Sequence, residues 1–406
     1  MVGPFGMGPR GTMRERALPM AQALVARGHE VTLLVPPWRN QEDSGRCWES
    51  NGVRVENARL PRNVPGLFQA VTALRLYRRV RGLRPDVVHL FKPKAYSGLT
   101  HWLLGQTRLR DGPRLVVDAD DWEGPGGWNE LGGYTAAQRW FFAWQERWGL
   151  THADAVTVAS RTLESLVWAM GVPPRKVFYV PNGVGEPTGR DAVLANGLRP
   201  CILLYTRFIE FPISRVVEVY CRVRELIPDA QLLVVGEGLF GEEEQLFRLA
   251  DNEGLTVDRL PSPAAGTGPV EPGRSAVSSQ DIIYAGWVPS GSLPFYFGRA
   301  DVAIYPFDDT LINRAKCAAK LRDLLAAGVP VVAEGVGQNR EYICHGKTGL
   351  LVTPGDVASF VDAVVRLLCD RDYRKCLGEA AARDLRERFA WDQLIDRVES
   401  AYQPAR

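Results

Sequence analysis

Between Ala300 and Asp356 the chain reads ADVAIYPFDDTLINRAKCAAKLRDLLAAGVPVVAEGVGQNREYICHGKTGLLVTPGD, an order of residue types that leaves few folds open. The apolar run from Val302 to Pro306 predicts a strand, a polar loop follows, the segment from about Ala318 to Ala327 predicts a helix, and Val329 to Ala333 predicts a second strand. Both runs are short and apolar throughout, the pattern of parallel strands covered on two faces, so the segment predicts a buried βαβ unit. Its helix follows a loop carrying Lys316 and begins around Lys320. Backbone N–H groups and two ammonium charges would converge there on a phosphate, although lysines at a solvated helix start would look the same.

The alternation extends along the chain. A Gly-rich loop holding Gly8 and Gly11 leads into an amphipathic helix (about Arg14 to Arg27) and a strand (Val31 to Val35). Only Met1 and Val2 precede Gly3, so either translation begins further upstream or the first strand is shortened; the stability cost of a shortened central strand favours the former. Pro85–Leu90, Leu115–Asp118, Ala155–Ala159, Ile202–Tyr205, Leu232–Val235 and Ile282–Tyr284 predict further strands. Ligands in such folds collect at the carboxyl ends of strands. That rule singles out Phe91-Lys92-Pro93-Lys94, the carboxylate-dense Asp118-Ala119-Asp120-Asp121-Trp122-Glu123, and Ser160-Arg161.

A chain of 406 residues exceeds one ordinary core, so two α/β domains are expected. The balance of 49 basic and 47 acidic residues argues against a general nucleic-acid binder. Seven cysteines without a C-x-x-C pair fit neither a zinc site nor a disulfide framework and read as reduced residues of a cytosolic protein. No apolar run reaches the eighteen residues of a membrane span, and no signal-peptide pattern is present.

Taken in order, these segments resemble the retaining GT-B glycosyltransferases of family 4, the glycosyl transferases group 1. Asp323, Ala326, Ala327, Gly328 and Pro330-Val331-Val332-Ala333 match the second half of that family's acidic-helix motif, and Val180-Pro181-Asn182-Gly183-Val184 resembles its interdomain P-N-G-V. The resemblance implies an α/β fold of two Rossmann-like, doubly wound domains facing across a cleft. Residues 1–187 would form the acceptor-side domain, joined by a final helix (about 388–406), and 198–387 the nucleotide-sugar-binding domain. Residues 257–280, Pro/Gly/Ser-rich from Pro261 onward, read as a mobile surface insertion.

Two positions depart from the family pattern. The first acidic residue of the motif is replaced by Ala315, and the lysine expected shortly after Arg207 falls in Phe211-Pro212. The resemblance therefore assigns the donor diphosphate to Arg207 and Lys320, with Lys316 a weaker candidate, since a departing diphosphate needs fixed positive charge. Asp323 would accept hydrogen bonds from the ribose hydroxyls. Gly337, in the Gly335–Asn339 loop, and the glycines Gly236, Gly8 and Gly11 are counted with the nucleotide-binding residues. Bland alternatives are a strand-capping arginine and a helix-surface aspartate. On the acceptor side, Asp120 or Asp121 would contact the acceptor hydroxyl; helix capping or a salt bridge to an arginine would explain the same cluster.

The expected reaction is transfer of a sugar from a UDP- or GDP-sugar to an unidentified sugar, lipid or small-molecule acceptor, with retention and without cofactor or metal. A nucleotide-sugar 2-epimerase and a non-catalytic nucleotide-sugar-binding protein are the alternatives. Trp140, Trp144 and Trp148 repeat every four residues, read as core or interdomain packing rather than a sugar platform. Arg75, Arg78, Arg79 and Arg84 on a helix from about Gly66 to Leu83 suit a solvated face or contact with the inner, anionic face of a membrane.

Overall fold

The structure is a computed structural model that describes residues 1–8, 11–61, 67–107, 112–185, 199–260 and 280–404. Residues 186–198, at the expected junction of the two domains, and the 261–279 portion of the expected insertion lie outside the described residues. Two compact units are present: Met1–Gly185 with Arg314–Cys317 and Phe389–Arg406, and Glu186–Asn313 with Ala318–Arg388.

In the first unit the strands are β1 (Thr32–Val35), β2 (Cys47–Ser50), β3 (Val53–Asn57), β4 (Val87–Phe91), β5 (Arg114–Ala119), β6 (Ala155–Val158) and β7 (Val177–Tyr179). They pair as β1-β3-β2 and β4-β5-β6-β7, all parallel except β2 with β3. Val2 bridges Leu34 and Leu90, donating to the His89 carbonyl and accepting from Phe91, each at 2.8 Å. The expected first strand is thus reduced to one residue that stitches the two groups together. The β2–β3 pair was not expected, yet Asn51-Gly52, with φ of 47° and 78°, is the turn dipeptide that a tight hairpin requires.

Helices α1 (Leu18–Ala26), α2 (Leu67–Leu83), α3 (Ala95–Gln106), α4 (Trp128–Leu131), α5 (Ala136–Thr151) and α6 (Arg161–Ala169) follow in this unit. Instead of a regular first turn, Met13–Ala17 forms a π-helical turn ahead of α1. One core packs Phe68 and Leu76 of α2, Leu104 of α3 and Leu150 of α5 with Leu90, Val117 and Val156 of the sheet. The other packs Met20 and Leu24 of α1 with Leu33, Val55 and the apolar stripe of the last helix, Trp391, Leu394, Ile395 and Val398. Segregation of the helices into two cores on one sheet is the doubly wound arrangement.

The second unit carries β8 (Cys201–Tyr205), β9 (Gln231–Val235), β10 (Val257–Arg259), β11 (Ile282–Tyr284), β12 (Val302–Tyr305), β13 (Val331–Glu334) and β14 (Leu350–Val352). They form one parallel sheet in the order β10-β11-β9-β8-β12-β13-β14. Val257–Arg259, assigned from sequence to the insertion, is instead its edge strand, held in register by β11. Helices α7 (Ile213–Leu226), α8 (Glu243–Asn252), α9 (Leu293–Arg299), α10 (Leu311–Ala315), α11 (Ala319–Ala326), α12 (Asn339–Tyr342), α13 (Val357–Cys369) and α14 (Arg371–Phe389) connect the strands, and α15 (Trp391–Tyr402) returns to the first unit. The residues of β8, β9 and β12 are buried almost throughout, as two-sided coverage demands.

Candidate active site

In the first unit the site grows from the end of β5. Strand alternation sends Asp118 and Asp120 to the same side, where they meet residues one helical turn apart, Arg16 and Thr12. Arg16 grips Asp118 with Nε and Nη2, both at 2.7 Å, and its Nη1 donates to Asn182 Oδ1 at 3.1 Å. Both members of the pair are buried, with 1% and 0% side-chain exposure, a cost that only this two-pronged geometry offsets. The polar chain continues inward. Thr157 donates to Asp118 at 2.5 Å, His89 Nε2 lies 3.1 Å from Thr157 Oγ1, and His89 Nδ1 lies 2.9 Å from the Tyr402 hydroxyl. Burial pushes His89 down to about 3, so it is neutral, accepting from Tyr402 and donating to Thr157.

Asp120 accepts from Thr12 Oγ1 at 2.5 Å, while its Oδ1 has no hydrogen-bond partner among the described residues and lies 3.5 Å from Lys92 Nζ. Burial, reinforced by Asp121 and Asp118 against the attraction of Lys92, pushes its carboxyl up to about 6. Asp121 is held by Lys92 at 2.6 Å, and Glu123 by Lys94 at 2.7 Å. The arginine partner considered from sequence serves Asp118, whereas lysines from the β4 loop neutralise Asp121 and Glu123. Lys92 sits at φ 49°, and the surrounding carboxylates hold its ammonium pKa well above the usual value against its burial. Glu146 of α5 is also buried, which pushes it up to about 8.

Gly11, at φ 133°, opens the π-helical turn by accepting from Arg14 and Glu15 at 3.1 and 3.0 Å. Gly8 lies in the same loop, next to Pro9 and Arg10, which are outside the described residues. Sequence reasoning missed Arg16, Thr12 and Asn182; the i, i+4 spacing of Thr12 and Arg16 against an aspartate pair two apart on a strand was the available signal.

In the second unit the expected donor residues gather partly. Arg207 follows β8, is half-buried, and makes no side-chain hydrogen bond or ion pair among the described residues. Lys320, in the first turn of α11, holds its ammonium 4.2 Å from the centroid of the Tyr205 ring and lines a small pocket with Thr206, Glu210, Phe211 and Phe307. No side chain caps α11. The loop after β13 contacts the residue before this helix, since Gln338 accepts from Ala318 N at 2.7 Å.

Other expectations shift. Lys316 belongs to the first unit, its ammonium 5.6 Å from the Trp128 ring centroid, and the neighbouring Ala315 is fully buried, accepting from Ser160 through its carbonyl. Asp323 is 28% exposed, and its carboxylate is engaged by Arg322 at 2.6 Å. Gly236, at φ 129°, has a backbone reason for being glycine: a Cβ would lie 1.9 Å from the Thr206 carbonyl oxygen. Gly337, at φ 47°, precedes the four-residue α12. The cation nearest in sequence to the absent lysine, Arg215, is committed to Asp308 at 2.7 Å and Glu334 at 3.1 Å. Glu334, fully buried, also accepts from Phe307 and Gly355 backbone N–H groups, tying three strand ends together.

Two α/β units are thus present, the second carrying Arg207 after a strand end and Lys320 in the first turn of a helix. Residues 11–183 match the glycosyl transferase 4-like domain and residues 264–370 match the glycosyl transferases group 1 domain. The chain belongs to this glycosyltransferase family and has the GT-B fold. It is 25% identical over 418 residues to phosphatidyl-myo-inositol mannosyltransferase of Mycobacterium leprae, covering 99% of this chain and 96% of the relative. It is 27% identical over 258 residues to the GDP-mannose-dependent alpha-(1-6)-phosphatidylinositol monomannoside mannosyltransferase of Mycobacterium tuberculosis, where the match spans 60% of each chain. Among solved structures, sucrose-phosphate synthase from Thermosynechococcus elongatus superposes with a TM-score of 0.70 at 19% identity, covering 99% of this chain and 98% of that one.

Proposed function

We propose that the protein transfers a hexosyl group from a nucleoside-diphosphate sugar to an acceptor hydroxyl with retention of anomeric configuration. The observation that carries this reading is Arg207, a half-buried guanidinium at a strand end of the second unit that has no counter-anion among the described residues. Such a charge is costly unless a ligand supplies the anion, and Lys320 at the head of α11 adds a second cation and a helix N-terminus. GDP-mannose is the donor to test first, because the mycobacterial relatives are described as using it. Their lipid acceptors make a lipid-borne sugar or polyol the first acceptor class.

Arginine, lysine and helix dipole would stabilise charge on the departing diphosphate without a metal ion. Asp120, whose Oδ1 has no hydrogen-bond partner among the described residues and whose carboxyl is pushed up to about 6, would accept the hydrogen bond of the acceptor hydroxyl. Retention without an enzymic nucleophile implies substitution on the front face, the leaving phosphate taking the acceptor proton. Calorimetry with GDP, UDP and ADP, followed by donor turnover in excess EDTA and NMR of the product anomer, tests the reading. Selective binding of one diphosphate, EDTA-resistant transfer and a retained anomer are expected; no diphosphate binding overturns it.

Ala315 favours a second reading. It leaves the first acidic position of the motif without a carboxylate, which suits a protein that binds donor without transferring it. Binding without turnover across lipid and soluble acceptors would select that reading.

A further inference from the structure

The tryptophan series of α5 is not core. Trp140 is 71% exposed and Trp144 36%, and Trp102 on the adjoining α3 is 37% exposed. Only the inner end of the series is packed: Trp148 lies against His101 of α3 at 5.0 Å between ring centroids and stacks on His152 at 4.6 Å. From there Trp144 at 6.4 Å and then Phe141 at 5.8 Å continue an aromatic ridge toward solvent. Leaving such large apolar rings in water is unfavourable, and a ridge of this kind marks a contact surface.

Charge identifies the contact. Acids make up 47 of the 406 residues, yet α2 and α3 contain none, and the only acid of α5, Glu146, is buried. The three helices pack side by side, α2 on α3 and α3 on α5. Exposed Arg139 and Arg147 flank the tryptophans on α5, and Arg75, Arg78 and Arg81 line the outer side of α2. Arg79 is spent internally on Glu56, at 2.7 Å. A second copy of the chain is a poor occupant, because a two-fold contact would set arginines against arginines. Indole rings settle at the headgroup level of a bilayer, and guanidinium groups bind lipid phosphates in pairs of hydrogen bonds.

We propose that the α3–α5 face, flanked by the arginines of α2, docks on an anionic lipid bilayer with Trp140, Trp144 and Trp102 in the headgroup layer. No described helix is long and apolar enough to cross a membrane, so the contact is peripheral. The inference goes beyond the transfer reaction, and its test needs neither donor nor acceptor, so the two readings fail separately.

The test is co-sedimentation of the full chain with vesicles of phosphatidylcholine alone or mixed with phosphatidylglycerol, at low and high salt. Binding to mixed vesicles, reversed by salt and accompanied by a blue shift of tryptophan emission, is expected. Trp140→Ser with Trp144→Ser should weaken partition about tenfold, and Arg139→Gln or Arg147→Gln about fivefold each. Trp48→Ser, at an exposed tryptophan on β2, should change nothing and serves as the folding and fluorescence control. Failure of the parent to bind mixed vesicles overturns the proposal, as does undiminished binding by the double tryptophan variant. Lipid-free dimerisation abolished by that same variant would assign the face to a second copy instead.

Discussion

Arg207 and Asp120 make opposite demands on a ligand, and single substitutions separate them. Charge-assisted hydrogen bonds are worth about 1.5–3 kcal/mol each, so Arg207→Ala and Lys320→Ala should each weaken nucleoside-diphosphate affinity by roughly ten- to a hundredfold while sparing the nucleoside. Calorimetry decides, and unchanged diphosphate affinity in both variants would remove the donor assignment. Asp120 belongs to the other unit, so Asp120→Asn should leave donor affinity intact and lower the transfer rate. With its carboxyl pushed up to about 6, the parent rate should rise as pH increases through that value, and Asp120→Asn should lose this limb. Stability moves the other way. The native carboxyl keeps its proton up to about 6 whereas the unfolded chain releases it near the ordinary aspartate value of 3.8, so the folded state binds more protons in that window and loses stability as pH rises through it. Denaturant midpoints across that range for parent and Asp120→Asn check the sign.

At the scale of elements, the π-helical turn of Met13–Ala17 is the unusual piece. Thr12 just before it and Arg16 within it reach aspartates fixed two residues apart at the end of β5. Arg16→Met would leave Asp118 as a buried, uncompensated charge, and removal of one partner from such a pair costs about 3–5 kcal/mol. The variant should unfold at correspondingly lower denaturant. Met at position 16 together with Asp118→Asn should recover part of that loss, because no charge is then stranded. If the single variant is as stable as the parent, the ion pair does not hold the turn.

For the whole molecule, the order of the chain is not the order of its cores. The first unit is completed by α15, whose Trp391, Leu394, Ile395 and Val398 are buried against α1 and the sheet, and whose Tyr402 ends the polar chain from His89. Leu394→Ala should therefore destabilise the N-terminal unit by about 2–5 kcal/mol, the cost of a large-to-small change in a packed core. Hydrogen exchange should show the loss in β1, β3 and α1 rather than in β8 to β14. Protection lost only in the second unit would contradict the assignment.

Much of this architecture was open to reading from sequence. The strands Val302–Tyr305, Ile282–Tyr284 and Ala155–Val158 were legible because continuous apolar runs between turn residues have few other uses. So were the helix after Ala318, the strand-end position of Arg207 and the dense carboxylates after β5, since strand ends are where a parallel sheet exposes polar groups. Less regular pieces were not: β2–β3 lies outside the βαβ rhythm, β10 is three residues long, and Val2 is a strand of one residue. Pairing lay beyond sequence altogether. That Lys92 and Lys94 would neutralise Asp121 and Glu123, that Arg322 would take Asp323, that Lys316 would join the first unit and that Trp140 would stand in water all depend on which elements meet. Periodicity declares which face of a helix or strand is apolar; only packing decides what each polar group finds opposite it, and therefore which charges remain to bind a ligand.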